Sequence, residues 1–276
     1  MFECVINVSE GRDLDVIGDL CDVSGSSLKD MHSDEFHNRS VYTLINNPIA
    51  LVDSVHALIA TCYERIDLST HQGVHPRFGV VDVVPFVALE VNEAEQAVTL
   101  RDDLARWLVD RYEVPVFLYG PLADHSIRSL PEVRRNAFLT LMPDMGPVTA
   151  SSERGCVAVG ARPILVAWNL WLDHVSLDDA QMIAKALRQP AVRSLAFEVG
   201  EQVQVSCNII DTDAILPSQL YDQVTSLLNP PGRISRAELV GLVPTSLLER
   251  EDPVRWTQLG LARDTTIETR IVNWNG

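Results

Sequence analysis

No two cysteines in this chain are spaced as CxxC, and its five (Cys4, Cys21, Cys62, Cys156, Cys207) form an odd, scattered set. That suits a reducing cytosol better than a disulfide framework. Positive charge is scarce too: 22 Lys and Arg stand against 38 Asp and Glu, a formal net charge of −16. A nucleic-acid binder would show a basic face, so nucleic acid is not an expected partner. An anionic ligand would need a local cationic pocket to overcome such a field. Charges interrupt every apolar stretch before it reaches membrane-spanning length. Residues 1–5 lack a basic region and read as a first strand, not a leader. There is no GxGxxG or Walker-type loop, no internal repeat and no low-complexity tract. What remains is an ordinary globular composition, 46% hydrophobic and 22% charged over 276 residues. That is enough for one large core or two modest ones.

The stretch Thr70-His71-Gln72-Gly73-Val74-His75-Pro76-Arg77-Phe78-Gly79 puts two imidazoles and a guanidinium around a glycine and a proline. It leads into the apolar run Val80-Val81-Asp82-Val83-Val84-Pro85-Phe86, which reads as a buried strand. Reactive side chains thus sit on a short turn feeding a sheet. Imidazole both takes and gives a proton near neutrality, and loops are where reactive residues concentrate. The alternative is a pair of surface histidines beside a strand. His71 and His75 lie four apart, a metal-ligand spacing on a helix. Gly73 and Pro76 argue against a helix, and no third ligand is evident, so no metal is expected.

Strands and amphipathic helices alternate along the chain. Residues 2–7, 26–32, 40–45, 80–86 and 116–119 read as strands. Asp13 is placed to cap one helix, and Pro48 opens another with Ile49, Val52, Val55, Leu58, Ile59 and Cys62 on one stripe. Asn92 with Glu95 resembles a capping box for a helix running to residue 111. A weaker helix follows at 130–138, and 146–155 is a small, polar loop. A second series begins near residue 160: strands at 164–170, 192–199, 203–210 and 239–243, helices at 177–187 and 217–228, Thr245 capping a short helix, and a last strand alternating over 265–272. Gly200-Glu201 forms a hairpin turn. The pattern indicates α+β layering.

Several motifs, in order, resemble the formiminotransferases. They are Glu3-Cys4-Val5-Ile6-Asn7-Val8-Ser9-Glu10-Gly11-Arg12, His37-Asn38-Arg39-Ser40-Val41, Gly73 to Gly79, Leu118-Tyr119-Gly120, Ala158 to Pro163, Gln204 to Asn208, and Leu239 to Pro244. The resemblance covers essentially the whole chain. It implies two α/β subdomains, 1–160 and 161–276, with mixed or antiparallel sheets and helices on one face, meeting around a central tunnel. It also implies a homodimer acting on small molecules in the cytoplasm. The implied reaction passes the formimino group of N-formimino-L-glutamate to N5 of tetrahydrofolate, the co-substrate. A cyclodeaminase domain follows in some relatives, and this chain ends too early to hold one.

By the same matching, His75 corresponds to the catalytic histidine. One imidazole can take a proton from the attacking amine and deliver one to the leaving nitrogen, with Pro76 holding the turn rigid. Arg39 and Arg77 each offer a guanidinium fork that fits glutamate carboxylates, or else they are tied up in structural ion pairs. Asn7 would orient the formimino group or cap its strand. Asp34, like Asp30, sits where relatives often place a carboxylate, and Gln204 and Arg162 are further pocket positions. Gly146, Pro147, Val148, Thr149, Ala150, Ser151, Ser152, Glu153, Arg154 and Gly155 occupy the folate-contacting loop, where small residues let backbone approach a flat ring.

The chain departs from the family pattern at Ile6, His32, Pro121 and residues 124–136, and Glu153-Arg154 bring charges into the folate loop. Those charges leave two alternatives: a folate-binding paralogue without turnover, and a transferase with an altered donor or acceptor. A third is a hydrolase using His75 and water.

Overall fold

In the computed structural model, which describes residues 1–73 and 77–273, the chain divides into two compact units, 1–163 and 164 onward. In the first unit the order is β1 (Phe2–Val8), α1 (Leu14–Ser24), β2 (Leu28–Asp34), β3 (Arg39–Asn46), α2 (Pro48–Arg65), β4 (Val81–Ala88), α3 (Ala94–Tyr112), β5 (Val116–Pro121), β6 (Ile127–Arg128), α4 (Leu130–Asn136) and β7 (Val157–Ala161). The strands form one seven-stranded sheet ordered β2-β3-β1-β4-β7-β5-β6. It is mixed: β1 runs antiparallel to β3 and β4, while β7 runs parallel to β4 and β5.

Local chemistry sets the helix ends. The Asp13 carboxylate accepts from the amides of Asp15 and Val16, satisfying donors that the first turn of α1 leaves open. Asn47 does the same for α2 with Pro48 just inside. The stripe of α2 turns Leu51, Val55, Leu58, Ile59 and Cys62 inward, and leaves Ile49 exposed. These residues pack with Phe2, Cys4, Ile6, Tyr42, Leu44, Val84, Phe86, Leu104 and Leu108 into the main core, so α1, α2 and α3 cover one face. The short α4 is the exception to helices on one face. Its Val133 joins Val83, Phe117, Tyr119 and Ala158 on the other side.

The second unit is a four-stranded antiparallel sheet, β11-β8-β10-β9, from β8 (Val166–Asp173), β9 (Val192–Val199), β10 (Gln202–Ile209) and β11 (Arg233–Val240). Two helices, α5 (Leu177–Leu187) and α6 (Pro217–Leu227), bury Trp168, Leu170, Val205, Cys207, Ile183 and Val224 in a core of its own. Short helices α7 (Thr245–Leu248) and α8 (Ile267–Asn273) end the described chain. The fold is α+β, and neither sheet closes into a barrel.

Four local expectations are corrected. The last strand at 265–272 is the helix α8; its apolar Ile267 and Ile271 lie four apart, a helical spacing that the short alternation hid. Helix α3 has no Asn92 capping box: a 3-10 turn, Val91–Glu93, leads in, and Glu93 makes no side-chain cap bond. The strand expected at 239–243 lies upstream as β11. Pro244, not Thr245, holds the cap position of α7.

Candidate active site

The turn named from the sequence leaves His75, with Val74 and Pro76, outside the described residues. A Cβ on Gly73 would run into the His37 carbonyl oxygen, so only glycine lets the turn lie against residues 37–38. Asn38, in the left-handed region at φ 49°, clamps it: its Nδ2 donates to Gln72 O at 2.9 Å and its Oδ1 accepts from the Gly11 amide at 2.9 Å. His71 Nε2 meets the Asn38 carbonyl at 2.9 Å, so that ring is half-buried and held, and burial lowers its pKa. Arg77 spends its fork on the same turn, donating to Gly73 O at 3.0 Å and His71 O at 2.9 Å.

The other side of the turn is fixed by a bulge. β1 pairs with β4 as Asn7↔Val83 but Val8↔Val81, so Asp82 is an extra residue. A bulge re-aims the inserted side chain. Asp82, 1% exposed, thereby takes three donors: Phe78 N–H at 2.8 Å, Arg39 Nη1 at 3.1 Å and Arg134 Nη2 at 2.6 Å. Arg39 also donates to Asn7 Oδ1, from Nη2 at 2.7 Å and Nε at 3.2 Å, and Asn7 Nδ2 donates to Val5 O at 3.1 Å. Burial lowers the Arg39 pKa to about 10, with Asp82 opposing and Arg134 adding to the shift. Arg134 also lies 5.0 Å from the centre of the Phe78 ring. Asn7, Arg39, Asp82 and Arg134 thus form one chain of polar contacts from β1 to α4, with two cations on one carboxylate.

The loop 146–155 is largely exposed, and its C-terminal end is stitched to the turn. Val80 N–H donates to Arg154 O at 2.9 Å and Cys156 N–H to Phe78 O at 3.0 Å. The departing charge Arg154 reaches the Tyr112 carbonyl at 3.0 Å and lies over the Tyr63 and Tyr112 rings. Asp34 accepts from the amides of Phe36 and His37, capping its own turn. Gln204 belongs to the second unit, on β10 between Phe197 and Trp171, 3% exposed.

The structure therefore brings Asn7, Arg39, Arg77 and the loop end to one region of the first unit. Sequence reasoning did not single out Asp82, Asn38 or Arg134. A lone acid inside the run Val80 to Phe86 was the available signal, because a buried charge demands partners. Among the described residues no group of three His, Cys, Asp or Glu is placed to hold a metal ion, and no helix is long and apolar enough to cross a membrane.

Residues 1–162 match the family model of the formiminotransferase domain, N-terminal subdomain. The chain is 33% identical over 272 residues to a glutamate formimidoyltransferase of Thermoplasma acidophilum, covering 90% of this chain and 89% of that one. It is 30% identical over 268 residues to a glutamate formimidoyltransferase of Streptococcus pyogenes, covering 89% of this chain and 90% of that one. A formimidoyltransferase-cyclodeaminase of Gallus gallus is 32% identical over 88% of this chain and 50% of its own length. The chain is a transferase and belongs to the formiminotransferase family.

Proposed function

We propose that this enzyme transfers the formimino group of N-formimino-L-glutamate to N5 of tetrahydrofolate and releases glutamate, with His75 as general acid and base. The observation that carries the reading is the anchoring of the His75 turn on both sides. Gly73 lies against His37 on one side, and the Phe78 amide bonds to Asp82 on the other. Proton transfer requires a positioned side chain, and fixed backbone at residues 73 and 78 supports that reading. The imidazole takes the proton from the N5 amine as it attacks the formimino carbon, then returns one to the departing glutamate nitrogen.

Within this reading, Asn7 orients the formimino group from the end of β1, and Arg39 fixes that amide. Arg39 with Arg134 supplies a local surplus of positive charge beside Asp82, which an anionic donor needs in a chain of net charge −16. Arg77 stiffens the turn through its backbone bonds, and Asp34 keeps residues 34–37 in register against it. Loop 146–155 contacts the folate, and Gln204 serves a pocket position in the second unit. The assembly is a cytoplasmic homodimer; light scattering that gives a monomer mass removes that part.

Purified protein should consume N-formimino-L-glutamate only when tetrahydrofolate is present. His75→Ala should lower kcat by about 10²- to 10⁴-fold, the usual size of general acid–base catalysis. Unchanged turnover in that variant removes the role of His75. Release of formamide or ammonia without folate replaces the transferase reading by hydrolysis. Binding of tetrahydrofolate without product replaces it by a carrier.

A further inference from the structure

Helices α2 and α3 do not close fully over the first sheet. Val52, Val55 and His56 of α2, Asp103 and Leu104 of α3, and Phe86 of β4 line a cavity of about 100 Å³. Spacings of three and four residues put the outer contributors of each helix on one stripe. Val55, Phe86 and Leu104 are buried, Val52 and His56 half-buried and Asp103 exposed, so the cavity runs from the sheet out to the surface. Phe86 pairs with Cys4, and Cys4 and Asn7 point to opposite faces of β1. The sheet therefore separates this cavity from the face that carries Asn7.

A row of rings fixes the polar end. The His56 imidazole stacks on Trp107, with 3.9 Å between centroids and 12° between planes. Trp107 meets Tyr112 edge-on at 5.3 Å, and Tyr112 packs against Tyr63 at 4.6 Å. The imidazole is thus held in the cavity wall by contact with α3. Burial lowers its pKa, with Asp53 opposing, so the ring is neutral at about pH 7.5, and a neutral imidazole has one acceptor nitrogen.

Negative charge gathers at the same end. Asp103 lines the mouth, and Asp53 stands one turn before His56 on α2. Arg106 pairs with Asp103 at 2.5 Å, but both side chains are exposed. An exposed pair of this kind is weak, so Asp103 can still accept from a second cation.

Size and chemistry define the occupant. An apolar cavity of roughly 150 Å³ takes one benzene, so about 100 Å³ suits a group of roughly four carbons. The walls are apolar except at His56 and Asp103. An acceptor nitrogen and a carboxylate at one end call for a donor head, and the surrounding negative field favours a cation. We propose that the cavity between α2 and α3 binds a short alkylammonium ion, its hydrocarbon against Val55, Phe86 and Leu104 and its ammonium donating to His56 and Asp103.

A ligand this small binds weakly, so NMR titration of the full chain at about pH 7.5 tests it, with isobutylamine (protonated at that pH), isobutanol and isobutyrate. The ammonium should bind about tenfold more tightly than the alcohol, and the carboxylate should not bind. His56→Phe keeps the stack on Trp107 but removes the acceptor, and should raise the ammonium Kd about three- to tenfold. Val52→Phe fills the cavity and should abolish binding. Absence of ammonium binding to the wild type, equal affinity for the alcohol, or affinity unchanged in both variants overturns the site; the last result places the amine elsewhere. If Val52→Phe does not fold, intermolecular NOEs in the wild type serve instead: contacts from the isobutyl methyls to the Val52 and Val55 methyls support the site, and their absence with bound ligand overturns it.

Discussion

Asp82 is a single carboxylate with two guanidiniums and an amide on it, almost wholly removed from water. Removing one member of a buried ion cluster leaves the others uncompensated. Asp82→Asn should therefore lower unfolding free energy by about 3 kcal/mol, read by urea denaturation. It should also lower kcat, because the Phe78 amide and Arg39 lose their common anchor. Glu3 behaves in the opposite sense. Its folded pKa of about 7 exceeds the ordinary 4.5, so the folded chain holds this proton more tightly than the unfolded one. The resulting stabilisation is complete below about pH 4.5 and is lost as pH rises through about 7. Glu3→Gln should therefore gain on the wild type between those pH values by about 3 kcal/mol, at about 1.4 kcal/mol per pKa unit, read by unfolding at pH 4.5 and 7.5. At this scale the sequence exposed residues that stand out in polar surroundings, such as Asn7, Arg39 and Arg77. It concealed Asp82 and Glu3 because each lies inside an apolar strand, where only burial and the neighbouring groups mark it out.

The elements most legible in the sequence were those with a chemical marker at the end. Asp13 before α1 and Pro48 at the head of α2 each settle a boundary, and Asp13→Ala should cost about 1 kcal/mol in thermal or chemical unfolding. Gly200-Glu201 separates β9 from β10 for the same reason. Strand β7 carried no such marker. Its five residues, Val157–Ala161, are small and buried on both faces, so they show no alternation to read. Helix α8 was lost to a short run that fits either period. The stretch 71–79 stood out by its residue types, while the reason for Gly73 did not: it is required by the His37 carbonyl, which is distant in sequence. Gly73→Ala should displace the turn, lowering kcat with a smaller effect on melting temperature. Unchanged kinetics would show that the turn tolerates the shift.

Over the whole molecule, the charge of −16 opposes the approach of an anionic donor, and the arginines at Asp82 act only at short range. Raising ionic strength from about 0.01 to about 0.15 M shortens the screening length from about 30 to about 8 Å, so kcat/KM for the donor should rise over that interval in steady-state assays. Composition allowed one large core or two modest ones, and each unit closes a core of its own. One topological fact has a temporal side. β7 is the last strand of its sheet to be synthesised, yet it lies between β4 and β5. Until it emerges from the ribosome, both neighbours present open backbone edges to any other nascent chain. The keystone of this arch is laid last, and the half-built span needs shelter until then.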